Sequence, residues 1–87
     1  MWTTHSFEAK ILQMSREFFV QFGQRIRQYR LQKQMSQEAL GLEAGISGAF
    51  IGMIERAEKD VTLSNVYKIS KALNISMPDL FNFNQKL

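Results

Sequence analysis

Residues 37–56, QEALGLEAGISGAFIGMIER, decide the fold of this chain. Leu40 and Ala44 lie four residues apart and therefore share one face of a helix. Gly45 follows at a position where a helix ends most easily in the left-handed backbone conformation. Ser47 is suited to cap a second short helix that runs to the end of the stretch. The pattern predicts two short helices joined by a tight glycine turn.

Helical patterns continue on both sides of this stretch, and no segment alternates apolar and polar residues as a half-buried strand does. Apolar residues at intervals of three and four predict a first helix that ends near Gln34. Ser36 and Thr62 are placed to cap the second and fourth helices, and residues 76–79 open a short fifth helix, with Pro78 tolerated in the first turn. The predicted inner faces are Phe18, Phe22, Ile26 and Tyr29 on the first helix, Phe50, Ile51 and Ile54 on the third, Leu63, Val66, Ile69 and Leu73 on the fourth, and Leu80, Phe81 and Phe83 on the fifth.

Residues 1–17 continue the apolar pattern backwards through Phe7, Ile11 and Met14 at helical spacing. We expect them to form an N-terminal extension, either a separate helix or a longer first helix, ahead of a domain at residues 18–87. The favoured role of the extension is extra hydrophobic core. The alternative is an arm that contacts a second copy of the chain.

Composition limits the class of protein. The chain has 87 residues, of which 45% are hydrophobic, enough for one small core. Without cysteine it has no disulfide and no thiolate metal site. No apolar run approaches the roughly 18 residues needed to span a membrane, and the N-terminus lacks the flanks of a secretion signal. We therefore expect a soluble, cytoplasmic protein.

Charge favours a polyanionic partner, since the formal net charge is +3 and the pI is about 9.5. The distribution is uneven: the net charge is +4 over residues 1–34, −3 over 35–62 and +2 over 63–87. Because the deciding stretch is acidic, a positive face has to come from helix ends, the first helix and the last third of the chain.

Residues 20–83 resemble the lambda-repressor/Cro-like, or xenobiotic-response-element-type, helix-turn-helix family. Gly41 stands where two helices cross and Gly45 at the turn, with apolar residues filling the inner positions around them. The resemblance implies an all-α fold, a compact five-helix domain with an N-terminal helical extension. Within the family, the chain is most similar to restriction–modification controller proteins. The matching inner positions are Leu40, Ala44, Ile46, Ile51 and Ile54.

The family resemblance also implies a largely buried ion pair between Arg30 and Glu55. Such a pair would join the first helix to the third and fix the third helix in place. The alternative is two solvated charges, which contribute under about 1 kcal/mol to stability.

Two kinds of DNA contact follow from the resemblance. Helix N-termini present free amides and a positive dipole end to phosphates, and the third helix enters the major groove. The predicted phosphate contacts are Gln37, Thr62, Ser64 and Asn65, with local charge from Arg56 and Lys59. The predicted groove-facing positions are Ser47, Gly48, Ala49, Gly52 and Met53.

These groove-facing positions are poor in groups that recognise bases. Ser47 alone among them has a hydrogen-bonding side chain, whereas bases are read largely through such groups. Ala49 and Met53 can pack on thymine methyl groups. Specificity would then come from DNA shape and backbone contacts, or else the surface receives another protein.

No pattern in the sequence indicates catalysis, a cofactor or a metal. His5 is the single histidine, so a histidine acid–base pair is absent. A homodimer is expected, because two recognition helices about 34 Å apart can contact a palindrome. Its predicted surface is Leu80, Phe81 and Phe83, with residues 7–19 as the other candidate.

The sequence thus predicts a sequence-specific DNA-binding transcriptional regulator, such as a repressor, that acts as a homodimer on a palindromic operator in double-stranded DNA. The alternative function is a helix-turn-helix-fold protein-binding module, such as an antitoxin-like subunit that neutralises a protein partner.

Overall fold

Five α-helices follow one another in the computed structural model, which describes residues 4–84. They are α1 (Thr4–Gln32), α2 (Gln37–Ala44), α3 (Gly48–Glu55), α4 (Leu63–Leu73) and α5 (Met77–Leu80). No strand occurs among the described residues, which confirms the all-α prediction. Within the same part of the chain, no helix is long and apolar enough to cross a membrane. His5 lies outside the residues whose side chains are described.

Side-chain hydroxyl groups cap the four helices after α1, as predicted for Ser36, Ser47 and Thr62. Each cap accepts a hydrogen bond from a backbone N–H of the first turn, which has no partner inside the helix. The four cap-to-amide pairs are Ser36–Ala39, Ser47–Phe50, Thr62–Asn65 and Ser76–Asp79, at 3.0–3.2 Å. Gly45 ends α2 with φ 72° and ψ 32°, the left-handed conformation that favours glycine. The turn between α2 and α3 therefore follows directly from local sequence.

Two glycines let helices approach closely. A Cβ atom at Gly23 of α1 would collide with the carbonyl oxygen of Ile54 and lie 2.7 Å from that of Glu55. A Cβ at Gly41 of α2 would collide with the carbonyl oxygen of Ile46. Because these neighbours are backbone atoms, a side chain at either position requires the helices to move apart. Glycine at these two positions therefore allows α1 and α2 to lie this close to the segment around α3.

The hydrophobic core lies where all five helices meet. Burying each large apolar side chain stabilises the fold by about 1.5–3 kcal/mol relative to its exposure. The side chains that are fully buried are Phe22, Ile26, Leu40, Ile51, Ile69, Leu73 and Leu80. The prediction that Leu63 belongs to this core is wrong. Leu63 is the first residue of α4 and remains 73% exposed, because its position precedes the part of the helix that packs.

Helix α1 is one continuous helix across the predicted boundary between residues 17 and 18. Its 29 residues make a rod about 43 Å long at 1.5 Å per residue. Its first half extends past the other helices, so Phe7, Ile11 and Met14 are 58%, 44% and 54% exposed. The favoured prediction that this segment adds to the core is therefore wrong. Arg16 Nη1 donates a hydrogen bond to the Ala57 carbonyl oxygen at 2.8 Å and connects α1 to the loop after α3.

The residues predicted as a dimer surface, which lie at the end of α5 and just after it, pack mainly within the chain. Leu80 is completely buried, so its assignment to an interface is wrong: the side chain faces the core between α1, α4 and α5. Phe81 and Phe83 are partly buried. Their ring centroids lie 5.8 Å and 5.6 Å from that of Phe18, respectively. These three rings form an aromatic cluster with Phe22 at the end of the core.

We expect Gly23→Ala to destabilise the protein by about 1–3 kcal/mol, the usual range for overpacking, although alanine is intrinsically the better helix former. The free energy of unfolding is measured by urea denaturation. Gln24→Ala, at the exposed neighbouring position, is the control and should change it by less than about 0.5 kcal/mol. A Gly23→Ala variant more stable than the original would contradict the close approach.

Candidate nucleic-acid interface

A buried ion pair connects the end of α1 to the end of α3. Arg30 Nε donates to Glu55 Oε2 at 2.7 Å, and Arg30 Nη2 donates to Glu55 Oε1 at 3.0 Å. The two side chains are only 9% and 3% exposed. This is the two-point geometry that makes arginine–carboxylate pairs strong and directional. The pair implied by the family resemblance is therefore present, and it is bidentate.

Two further hydrogen bonds extend this pair to the start of α2. Arg30 Nη1 donates to the Met35 carbonyl oxygen at 2.8 Å, and Gln37 Nε2 donates to Glu55 Oε1 at 3.2 Å. The hydrogen bond to Glu55 raises the pKa of Arg30, against the opposing effect of burial. Arg30 is thus permanently charged. Its guanidinium group holds the end of α1, the turn before α2 and the end of α3 in a fixed arrangement.

Fewer of the predicted groove-facing positions are exposed than the sequence predicts. Ser47 and Ala49 are exposed, and Met53 is half-buried. Gly52 is buried, since a Cβ there would lie 3.1 Å from Gln37 Oε1 and 3.0 Å from Arg56 Nη1. The prediction that Gly52 faces outward is therefore wrong: the side chains of Gln37 and Arg56 cover it.

Gly48 also has a neighbour where a side chain would stand. A Cβ at Gly48 would lie 2.9 Å from the Glu38 Cα atom, so the position packs against the backbone of α2. The absence of side chains at Gly48 and Gly52 is thus explained by contact with α2. The first turn of α2 and the surface of α3 form one continuous structure, on which Ser47, the N-cap of α3, and Ala49 are exposed and Met53 is half-buried.

The N-termini of α2 and α4 carry the predicted phosphate contacts. At α2, the Gln37 side chain donates a hydrogen bond to Glu55. The groups available to an anion are therefore backbone amides of the first turn. At α4, the Thr62 hydroxyl accepts from the Asn65 amide, and Ser64 is exposed. Both termini thus present free amides beside short polar side chains.

The loop after α3 contains acidic as well as basic groups. Arg56 Nε donates a hydrogen bond to Glu58 Oε1 at 3.1 Å, and both side chains are more than half exposed. This hydrogen bond raises the pKa of Arg56 and lowers that of Glu58. Arg56 is therefore locally neutralised in the free protein, whereas Lys59 is simply exposed.

Arg25 is a structural residue that the sequence analysis missed. It is 3% exposed, its guanidinium carbon lies 5.0 Å from the Tyr29 ring centroid, and Nη2 donates to the Asp79 carbonyl oxygen at 3.4 Å. It therefore connects α1 to α5. The sequence holds one signal of this role: Arg25 is a charged residue next to Ile26 on the apolar face of α1, and it lies four residues before the aromatic ring of Tyr29.

Comparison with known proteins agrees with this geometry. The helix-turn-helix family profile matches residues 26–80, more than half of the chain. The chain therefore belongs to the helix-turn-helix family of DNA-binding transcriptional regulators. It is similar to the control protein C.BamHI of Bacillus amyloliquefaciens, with 48% identity over 63 residues that cover 71% of this chain and 78% of that protein.

Two solved structures extend the comparison. The restriction–modification controller protein C.AhdI from Aeromonas hydrophila has a TM-score of 0.70 and 39% identity, covering 71% of this chain and 94% of C.AhdI. The P22 c2 repressor, in complex with a synthetic operator, has a TM-score of 0.65 and 36% identity, covering 70% and 92%. The predicted resemblance to lambda-type repressors and controller proteins is confirmed.

We expect Arg30→Ala to lower the free energy of unfolding by about 3–5 kcal/mol, because it leaves the Glu55 carboxylate buried without its partner. Urea denaturation followed by circular dichroism measures this loss. The matched control is Arg56→Ala, which breaks an exposed pair and should leave the denaturation midpoint close to that of the original protein. Equal losses in the two variants would contradict the role of the buried pair.

Proposed function

We propose that the protein binds a palindromic operator as a homodimer and controls transcription of a restriction–modification system. The observation that carries this proposal is the rigid surface formed by the first turn of α2 and the exposed side of α3. It has the fold of a repressor solved with operator DNA. The controller names of C.BamHI and C.AhdI support the biological role.

In this proposal, backbone amides provide most of the contact to phosphates. The N-termini of α2 and α4 approach the DNA backbone, where the helix dipoles favour negative charge. Lys59 adds charge, and Arg56 does so after exchanging Glu58 for a phosphate. Ser64 and Asn65 donate from short side chains at the start of α4. These contacts position the protein and carry no sequence information directly.

Base recognition is then assigned to three positions on α3. Ser47 donates to or accepts from a base edge, and Ala49 and Met53 pack on thymine methyl groups. Because this set is small, we propose that much of the specificity comes from the sequence-dependent shape of the operator. The homodimer doubles the number of contacts, and its two α3 helices lie about one DNA turn apart.

The proposal includes a cytoplasmic location and no enzymatic activity. A regulator of this kind meets its operator where the DNA of the cell lies. Among the residues that the structure describes, no group of three or more His, Cys, Asp or Glu side chains is arranged to hold a metal ion.

Selection of duplexes from a random pool tests the proposed function. We expect a palindromic consensus, and the logarithm of its binding constant should fall linearly with that of salt concentration, because bound phosphates release counterions. Titrations at two salt concentrations measure this slope. Recovery of no consensus, with stoichiometric co-purification of another protein, would instead support the protein-binding module.

We expect Ala49→Asp to weaken binding to the selected duplex by about 100-fold or more, because a carboxylate enters the groove between two lines of phosphates. Fluorescence anisotropy with the labelled duplex measures this loss, and circular dichroism checks that the fold is kept. The matched control, Ala9→Asp, makes the same change at an exposed position on the first half of α1. An unchanged affinity of the Ala49→Asp variant would contradict the proposed position of α3 in the groove.

A further inference from the structure

Helix α3 ends in a turn whose backbone is left-handed at Ala57, with a φ of 57°. The Ala57 N–H donates to the Ile54 carbonyl oxygen at 3.0 Å, and the Glu58 N–H donates to the Met53 carbonyl oxygen at 2.8 Å. These two bonds are those of the Schellman motif, in which the left-handed residue is usually glycine. The turn therefore holds alanine in a conformation that is unfavourable for a residue with a Cβ atom.

Other helices of the chain end in the same backbone conformation. Four of the residues that the structure describes have a positive φ, and each follows a helix. Gly45 and Asn74 belong to the two residue types that adopt this conformation most readily. Gln34 and Ala57 do not. The cost of the turns at Gln34 and Ala57 is therefore offset by contacts elsewhere in the fold.

Both of these turns have an arginine bonded to a carbonyl oxygen. After Gln34, Arg30 Nη1 donates to the Met35 carbonyl oxygen at 2.8 Å. After α3, Arg16 Nη1 donates to the carbonyl oxygen of Ala57 itself, also at 2.8 Å. A hydrogen bond from a charged donor is stronger than one between neutral groups, and a cation at a helix C-terminus also interacts favourably with the helix dipole. Arg16 thus stabilises the turn at Ala57 as Arg30 stabilises the turn at Gln34.

The turn at Ala57 begins the loop that leads to the proposed phosphate contacts. Ala57 is buried at one end of this loop, and Val61 packs against the hydrophobic core at the other. Lys59 lies between them and is exposed, and Thr62 caps α4 directly after Val61. The direction in which the loop leaves α3 therefore depends on the backbone at Ala57.

We propose that Arg16 is a positioning residue for DNA binding. Its bond to the Ala57 carbonyl oxygen holds the loop in the conformation that presents Lys59 and the N-terminus of α4 to the DNA backbone. Arg16 lies before residue 26, where the family match begins, so the first half of α1 contributes to DNA binding without touching DNA. The proposal deepens the proposed function and rests on it for the contact with DNA.

Amide hydrogen exchange followed by NMR tests the effect on the turn without DNA. We expect Arg16→Ala to accelerate exchange of the Glu58 amide by about tenfold, because loss of a charge-assisted hydrogen bond makes local opening easier. The amide of Leu73, in the core, should change much less, since it exchanges through global unfolding. The matched control is Arg27→Ala, which removes the same charge from an exposed position of α1. Equal acceleration at Glu58 and Leu73, or equal effects of the two variants at Glu58, would overturn the proposal.

The double variant Arg16→Ala/Ala57→Gly tests whether the left-handed alanine is the reason that the turn depends on Arg16. Glycine adopts a positive φ at little cost, so it should offset most of the acceleration that Arg16→Ala causes at the Glu58 amide. An acceleration in the double variant as large as in Arg16→Ala would overturn this explanation of the contact.

Binding to the selected duplex tests the consequence for DNA recognition. At a temperature where circular dichroism shows every variant to be fully folded, we expect Arg16→Ala to weaken binding by about threefold or more, because the binding-competent conformation of the loop is less populated. Arg27→Ala should weaken it less, and the double variant Arg16→Ala/Ala57→Gly should recover most of the affinity. A role in stability alone would leave the affinity of the folded protein unchanged.

The two measurements separate this proposal from the proposed function. An Arg16→Ala variant that binds the consensus as tightly as the original protein would overturn the positioning role and leave DNA recognition intact. A chain that selects no consensus would overturn the proposed function, and with it the DNA contact of the loop. The exchange rates at Glu58 would still decide whether Arg16 holds the turn.

Discussion

The bidentate pair between Arg30 and Glu55 is the interaction on which the rest of the structure depends. Removing two charges from water is costly unless their hydrogen-bonding groups are satisfied, and here the guanidinium donates to the carboxylate and to the Met35 carbonyl oxygen. These bonds join the end of α1, the turn before α2 and the end of α3. Gln37 adds the start of α2 to the same carboxylate. The orientation of α3 is therefore set by directional polar contacts as well as by apolar packing.

This constraint suits the contacts to phosphates that we propose for the helix N-termini. A long side chain can adjust its rotamer to reach a phosphate, whereas a backbone amide can only be moved together with its helix. Gly23 and the buried pair both act on the last turn of α3, one by contact with the Ile54 and Glu55 carbonyl groups and the other through the Glu55 side chain. The fixed orientation of α3 thus takes the place of the rotamer freedom that long side chains would otherwise provide.

Local chemistry explains why much of the fold was predictable from the sequence. The caps at Ser36, Ser47, Thr62 and Ser76 and the left-handed Gly45 depend on neighbouring residues, so their patterns are visible in the chain. The errors concern tertiary position. Leu63, Leu80 and the three residues Phe7, Ile11 and Met14 are all apolar at helical spacing. Leu63 is nevertheless exposed, Leu80 is buried, and the other three lie on the part of α1 that extends past the core. Periodicity identifies the apolar face of a helix, but it does not show which part of that face another helix covers. The contacts of the helix N-termini and of α3 with DNA stay predictions.

The contact of α2 with Gly48 has a consequence for how the protein can change over evolutionary time. The Glu38 Cα atom occupies the space of a side chain at Gly48, and Gln37 and Arg56 cover Gly52. A longer side chain at Gly48 would therefore separate the two helices before it reached a base. In the proposed function, new direct base contacts would arise at Ser47, Ala49 and Met53, whereas a base contact from Gly48 would first require a change in α2. In that proposal, few single substitutions on this surface would change the bases that the protein contacts directly.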